Sequence, residues 1–215
     1  MSQYDCSQPI ESGMTVYPGS RPVSVETVTT VESDGARVTE LDLDAHVGTH
    51  IDAPAHTLDD GKTLDDYSLS AFEFDARLVD CTGLAGREPI GPETLGEPSA
   101  HDLLVVWTGW DDHWGTEQYR DHPYLTEAAA SWCADHGYSV GLDTFGPDPT
   151  PSVDSERERP GEPSGLPAHD ALFADDCFIV ENLRGLERLP TEFELTAYPL
   201  ALAAEASPVR AVAHI

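Results

Sequence analysis

Three histidines and a carboxylate fall within eleven residues, in the stretch His46-Val47-Gly48-Thr49-His50-Ile51-Asp52-Ala53-Pro54-Ala55-His56, although the 215-residue chain holds only nine histidines. Imidazole nitrogens and carboxylate oxygens converging on one point suit a divalent ion of the zinc or manganese kind. A helix is a poor host for this stretch. Gly48 and Pro54 break it, and Val47, Thr49 and Ile51 are β-branched. An extended strand end with a turn at Gly48 fits better. In extended chain His50 and Asp52 share a face, and a turn at Gly48 swings His46 toward them. Any one of these histidines alone reads as a solvated side chain; the shared face makes the group read as ligands. Thr49 reads as a structural hydroxyl rather than a nucleophile.

Two further residues downstream have ligand chemistry. His169 follows a proline-rich loop at the start of a short helix, and Glu181 ends the apolar run Phe178-Ile179-Val180. On spacing alone Glu181 reads more readily as a solvated carboxylate than as a ligand. Other hydrolytic and nucleotide chemistries lack their signatures. There is no GxSxG nucleophile elbow and no GxxxxGK[ST] phosphate loop.

The elements that must position these side chains are mostly strands. Residues 23–31 and 37–43 are β-branched and partly alternating, with a turn signal at Ser33-Asp34-Gly35 between them. Strands are also predicted over 76–81, 138–142, 177–180, 191–198 and 209–215. The continuously apolar Leu103-Leu104-Val105-Val106-Trp107 reads as a central strand buried on both faces. The clearest helix is 126–135, with Thr126 as cap and Gly137 just past its end. Shorter helices are expected over 66–72, 92–95 and 167–174. Strands mixed with fewer helices predict one α/β (mixed α+β) domain over 1–215 with a mixed central sheet. Residues 146–167 hold six prolines and the run Glu156-Arg157-Glu158-Arg159. They read as a long loop within the domain, and such loops are mobile or functional.

Composition narrows the function. Lys and Arg total 11 and Asp and Glu total 40, so the formal charge is 11 − 40 = −29. That charge repels phosphate backbones and anionic bilayers, which argues against nucleic-acid and membrane partners. No apolar run approaches the roughly 20 residues of a bilayer span. The first residues lack the basic start and apolar stretch of a signal peptide, so a cytoplasmic location is expected. Cys6, Cys81, Cys133 and Cys177 form no CxxC pair and read as free thiols, three of them in apolar stretches. The excess of acidic residues, with Lys62 the sole lysine, predicts adaptation to high salt, where screening collapses surface repulsion.

The motif His46-x-Gly48-Thr49-His50-x-Asp52-x-Pro54-x-His56 resembles the central signature of the cyclase family of metal-dependent hydrolases, which includes bacterial-type kynurenine formamidases. The resemblance continues in order along the chain. It takes in Tyr17-Pro18-Gly19, Thr108-Gly109-Trp110, His113-Trp114-Gly115, Gly141-Leu142-Asp143, Asp148-Pro149, His169, Glu181-Asn182-Leu183 and Pro208-Val209-Arg210-Ala211. It implies a swivelling β/β/α-type fold, a homodimer or homotetramer, and two divalent metals per subunit, zinc first and manganese as the alternative. By similarity His46, His50 and Asp52 hold one metal. Asp52, His169 and Glu181 hold the second, with Asp52 bridging. His56 is the implied catalytic proton carrier, a third ligand being the alternative. After Pro18-Gly19 the family often has an acidic residue, whereas Ser20 and Arg21 follow in this chain, which leaves the substrate open.

The implied reaction is attack of metal-activated water on a non-peptide amide. An arylformamidase converting N-formylkynurenine to kynurenine and formate leads. An isatin-hydrolase-like or other cyclase-family activity on a cyclic amide or polyketide-like substrate is the alternative, as is a non-catalytic metal-binding protein. For an aromatic substrate Tyr17, Trp110 and Trp114 are binding candidates, though each reads more readily as core or rim packing.

Overall fold

The computed structural model describes residues 2–152 and 160–215. The strands are β1 (Gln3–Asp5), β2 (Ser24–Thr29), β3 (Val38–Asp42), β4 (His50–Asp52), β5 (Glu73–Asp80), β6 (Pro89–Ile90), β7 (Leu103–Trp107), β8 (Tyr124–Leu125), β9 (Ser139–Leu142), β10 (Ile179–Glu181), β11 (Glu192–Thr196), β12 (Ala206–Pro208) and β13 (Val212–His214). The α-helices are α1 (Val31–Asp34), α2 (Glu127–Asp135) and α3 (Pro167–Ala174). Nine strands form one mixed sheet in the order β1-β13-β11-β5-β7-β9-β10-β4-β12. Its centre, β5-β7-β9-β10, is parallel, and antiparallel strands flank it on both sides. The mixed α+β expectation therefore holds.

The apolar run of β7 explains its central place. Leu103 and Val105 point into one core, with Phe72, Phe74, Phe178 and Leu195. Leu104 and Val106 point into the other, with Leu125, Leu142, Leu172 and Phe173 under α2 and α3. Strict alternation with both faces buried requires an apolar residue at every position. Each such side chain contributes about 1.5–3 kcal/mol.

Several elements differ in detail from their predicted extents. The turn after β2 closes through a single helical turn, α1, capped by the Thr30 side chain and ended by Gly35 at φ 79°. The segment 66–72 is two 3₁₀ turns, Leu64–Asp66 and Leu69–Phe72, because a capping box between Thr63 and Asp66 starts a turn that the extended Tyr67 and Ser68 then end. The segment 92–95 is likewise a 3₁₀ turn over Pro92–Thr94. The predicted last strand begins later, at Val212, and Ala206–Pro208 joins the opposite sheet edge as β12. Helix α2 starts as read, with Thr126 Oγ1 accepting from Ala129 N at 3.1 Å. The four cysteines are buried and free. Among the described residues no helix is long and apolar enough to cross a membrane.

Candidate metal centre

Sheet register brings the candidate ligands together. Strands β4 and β10 pair antiparallel with Glu181 opposite His50 and Ile179 opposite Asp52. His50, Asp52 and Glu181 thus share one face at the sheet's edge of parallel pairing. The chain turns at Gly48, whose φ is 58°, and His46 comes back to place its Nδ1 3.1 Å from Asp52 Oδ1. His50 Nε2 lies 3.1 Å from Glu181 Oε2 and 3.5 Å from Asp52 Oδ1. From the far side, α3 brings His169 Nε2 to 3.3 Å from Glu181 Oε1. The 3₁₀ turn Pro54–His56 after β4 sets the His56 ring 4.3 Å from that of His46 and 5.6 Å from that of His169. All six residues therefore face one another although they span 46 to 181.

The distances pair them differently from the division implied by resemblance. The ligand atoms of His46, Asp52 and His56 lie within 4.8 Å of one another, as do those of His50, Asp52 and Glu181. Asp52 belongs to both groups. His169 joins the second through Glu181.

Electrostatics explain why the site wants a cation. His50 Nε2, both Asp52 carboxylate oxygens and Glu181 Oε1 are buried without a hydrogen-bond partner. Each such atom costs about 1–3 kcal/mol, more when charged, unless a ligand completes it. Burial opposes charge on His50, but the Asp52 and Glu181 carboxylates outweigh it and push its pKa up to about 9. Burial likewise opposes charge on His169, and the hydrogen bond to Asp148 with the nearby Glu181 carboxylate pushes it up to about 10. Burial also opposes charge on Asp52, yet His50 and His46 hold its carboxyl well below the usual carboxylate range. The carboxylates thus attract positive charge strongly, and a divalent ion would displace those imidazole protons as it bound. Donor set, burial and orphaned atoms fit a divalent metal.

A cavity of about 240 Å³ opens onto these residues, walled by Tyr17, Ser20, Phe145, Gly146, Thr150 and Leu166. Tyr17 packs edge-on against Phe145 at 5.8 Å. Trp110 and Trp114 do not line it. The 3₁₀ turn Trp110–His113 tucks the Trp110 ring beneath the surface, where its Nε1 donates to the Gln118 carbonyl. Trp114 packs on Tyr119 at 5.0 Å and behind Phe145 at 6.3 Å. The two tryptophans support the aromatic wall that Phe145 presents. The proline-rich loop contributes Gly146, Asp148, Thr150 and Leu166 to the lining; its run Glu156-Arg157-Glu158-Arg159 lies outside the described residues.

A model of the family described as Cyclase matches residues 4–149. The chain belongs to the cyclase family. It is similar along nearly its whole length to kynurenine formamidases of that kind: 33% identical over 212 residues to that of Bacillus cereus strain ATCC 14579, covering 97% of this chain and 95% of that one. The kynurenine formamidase of Bacillus mycoides strain KBAB4 is 32% identical with the same coverage. Among solved structures, a Bacillus stearothermophilus protein described as a predicted metal-dependent hydrolase superposes with a TM-score of 0.74 at 27% identity, covering 99% of this chain and 97% of that one. An isatin hydrolase bound to thioisatinate shares the fold, with a TM-score of 0.84 at 23% identity over 99% and 92% of the two chains.

Phe145, Leu166 and Gly146 around this cyclase-family site give no sequence signal, and Asn182 shows only through the family resemblance. Phe145 and Leu166 are ordinary apolar residues flanking a loop. Asn182, at φ 56°, donates from Nδ2 to the Gly48 carbonyl and accepts at Oδ1 from the Tyr119 hydroxyl. The same Gly48 carbonyl lies 2.9 Å from His50 Nδ1. Gly146 approaches so closely that a Cβ there would fall 2.6 Å from Glu181 Oε1. Only the fold makes these contacts visible.

Proposed function

We propose that this cyclase-family chain is a metal-dependent amidohydrolase that deformylates an aryl formamide, with N-formylkynurenine as substrate and kynurenine and formate as products. The observation that carries this reading is the buried set of unpartnered ligand atoms on His50, Asp52 and Glu181, opening on a small aromatic-walled cavity. The full-length similarity to kynurenine formamidases supports the choice of substrate. His46, His50, Asp52, His169 and Glu181 would hold two divalent ions, zinc or manganese. When bound, such ions polarise a carbonyl and acidify water toward neutrality.

The chain's own residues supply the rest. Burial pushes the His56 pKa down, so its imidazole is neutral at pH 7 with a nitrogen free to accept a proton. It accepts a proton from the attacking water as the new C–O bond forms at the formyl carbon. It returns that proton to the aniline-type nitrogen as the C–N bond breaks. Tyr17 and Phe145 hold the aryl ring, and the small volume of the cavity suits one ring.

The test is release of formate and kynurenine from N-formylkynurenine with added zinc or manganese. Turnover is expected. No turnover there but turnover of isatin would move the substrate to a cyclic amide. Inertness toward every amide tried, with metal bound, would contradict the enzymatic reading.

We further propose a cytoplasmic, salt-adapted homo-oligomer. The net charge of −29 and four free buried thiols support the setting. The ribbon β2–β3 supports the oligomer, because an isolated two-stranded ribbon is marginal and this one exposes Val28, Val38 and Leu41. Thermal unfolding followed by circular dichroism should shift to higher temperature between dilute buffer and molar KCl. Light scattering on the same samples should report a multiple of 23.3 kDa. Equal stability in both buffers contradicts the salt adaptation, and a monomer mass contradicts the assembly.

A further inference from the structure

Among the candidate ligands His169 has a buried carboxylate hydrogen-bonded to its far ring nitrogen, whereas the far nitrogen of His46 meets only the partly exposed Glu205, at 3.4 Å. Asp148 Oδ2 lies 2.7 Å from His169 Nδ1. The same oxygen accepts from the His169 backbone N–H at 3.0 Å, and Oδ1 accepts from Ala168 N at 2.9 Å. Asp148 is buried, at 4% exposure, so these bonds are made in a low-dielectric setting and are charge-assisted. They fix the carboxylate on both oxygens and leave it no freedom to turn away. An ionised carboxylate only accepts, so the proton of this pair sits on Nδ1. The opposite nitrogen, Nε2, then faces Glu181 Oε1 at 3.3 Å. The segment Gly146-Pro147-Asp148 that carries this carboxylate also wraps the ligands closely, since a Cβ on Gly146 would lie 3.5 Å from His169 Cε1.

We propose that Asp148 is the positioning residue of the metal centre: by accepting the Nδ1 proton of His169 it selects the tautomer whose Nε2 is free to bind a divalent cation beside Glu181. The proposal rests on the metal-binding reading above and deepens it. A carboxylate behind a ligand imidazole fixes the ring's orientation and raises its basicity. His50 has a backbone carbonyl, that of Gly48, in the equivalent place, so it has no negative charge behind it. The site is thus asymmetric, and Asp148 sets the affinity of the His169–Glu181 side. The competing role for Asp148 is a helix cap, since Ala168 and His169 open α3.

The experiment is zinc binding by chelator competition on the full chain, comparing wild type, Asp148→Asn, His169→Ala and the double variant. The carboxamide keeps the shape but must turn an amino group against either the Ala168 N–H or the His169 ring. Zinc affinity should fall between about 10- and 100-fold in Asp148→Asn. In the His169→Ala background the same substitution should cost less than about 2-fold, because the two residues act as one unit. Nitrogen NMR of the zinc-loaded wild type should show a protonated His169 Nδ1, and Asp148→Asn should lose that signature. Unchanged zinc affinity in Asp148→Asn overturns the proposal. So does an equal loss in both backgrounds, the result for a helix cap alone. A wild-type protein that takes up no zinc or manganese would instead overturn the metal reading itself.

Discussion

Asp52→Ala is expected to abolish both turnover and tight metal binding, the largest effect of any single substitution in this protein. Asp52 is the one side chain common to both ligand groups. It is fully buried, and neither of its oxygens has a hydrogen-bond partner. Loss of a partner behind a metal ligand costs about 10–100-fold in affinity; loss of a carboxylate shared by the whole cluster must cost more. Without it His46 and His50 lose the charge that holds their pKa values up, and the cluster loses the buried negative charge that would offset a divalent cation. Metal analysis of the purified variant by plasma mass spectrometry should find the content near background, with no detectable formate release. A variant that keeps its full metal complement would show that the caged carboxylate is not a ligand.

His56→Ala separates chemistry from binding. Its ring stands beside those of His46 and His169 and edge-on to Phe173 at 6.3 Å, so it borders the cavity and the cluster together. As proton carrier it contributes about 10²–10⁴-fold to turnover. The variant should lose that much kcat while metal content and KM change little. The geometry also sharpens the alternative, because a His56 nitrogen lies within ligand distance of His46 and Asp52. Metal loss equal to that in Asp52→Ala would make His56 a ligand instead.

The parts of this architecture that show in the sequence are those encoded locally. The five apolar residues of β7 announce a strand buried on two faces, and both cores are built on it. Thr126 and Gly137 mark the ends of α2. His46, His50, Asp52 and His56 lie so close in sequence that extended geometry and a turn at Gly48 are enough to group them. What is not legible depends on pairing between distant segments. On spacing alone Glu181 reads as a solvated carboxylate; the family resemblance implies a ligand, and the β4–β10 register supplies the physical reason by setting it opposite His50. Asp148 and His169 are 21 residues apart across a proline-rich loop, and no periodicity links them. Trp110 and Trp114 show the converse: their residue type suggests a ring-binding wall, but the 3₁₀ turn Trp110–His113 and the residue after it fold both rings behind Tyr17 and Phe145, into the aromatic cluster that backs the cavity.

The most direct measurement is anomalous X-ray diffraction from crystals of the wild-type protein grown with manganese or zinc. Two adjacent anomalous peaks are expected inside the cluster, one toward His46 and one toward Glu181. Crystals that carry the metal elsewhere and show no peak among His46, His50, Asp52, His169 and Glu181 would contradict it.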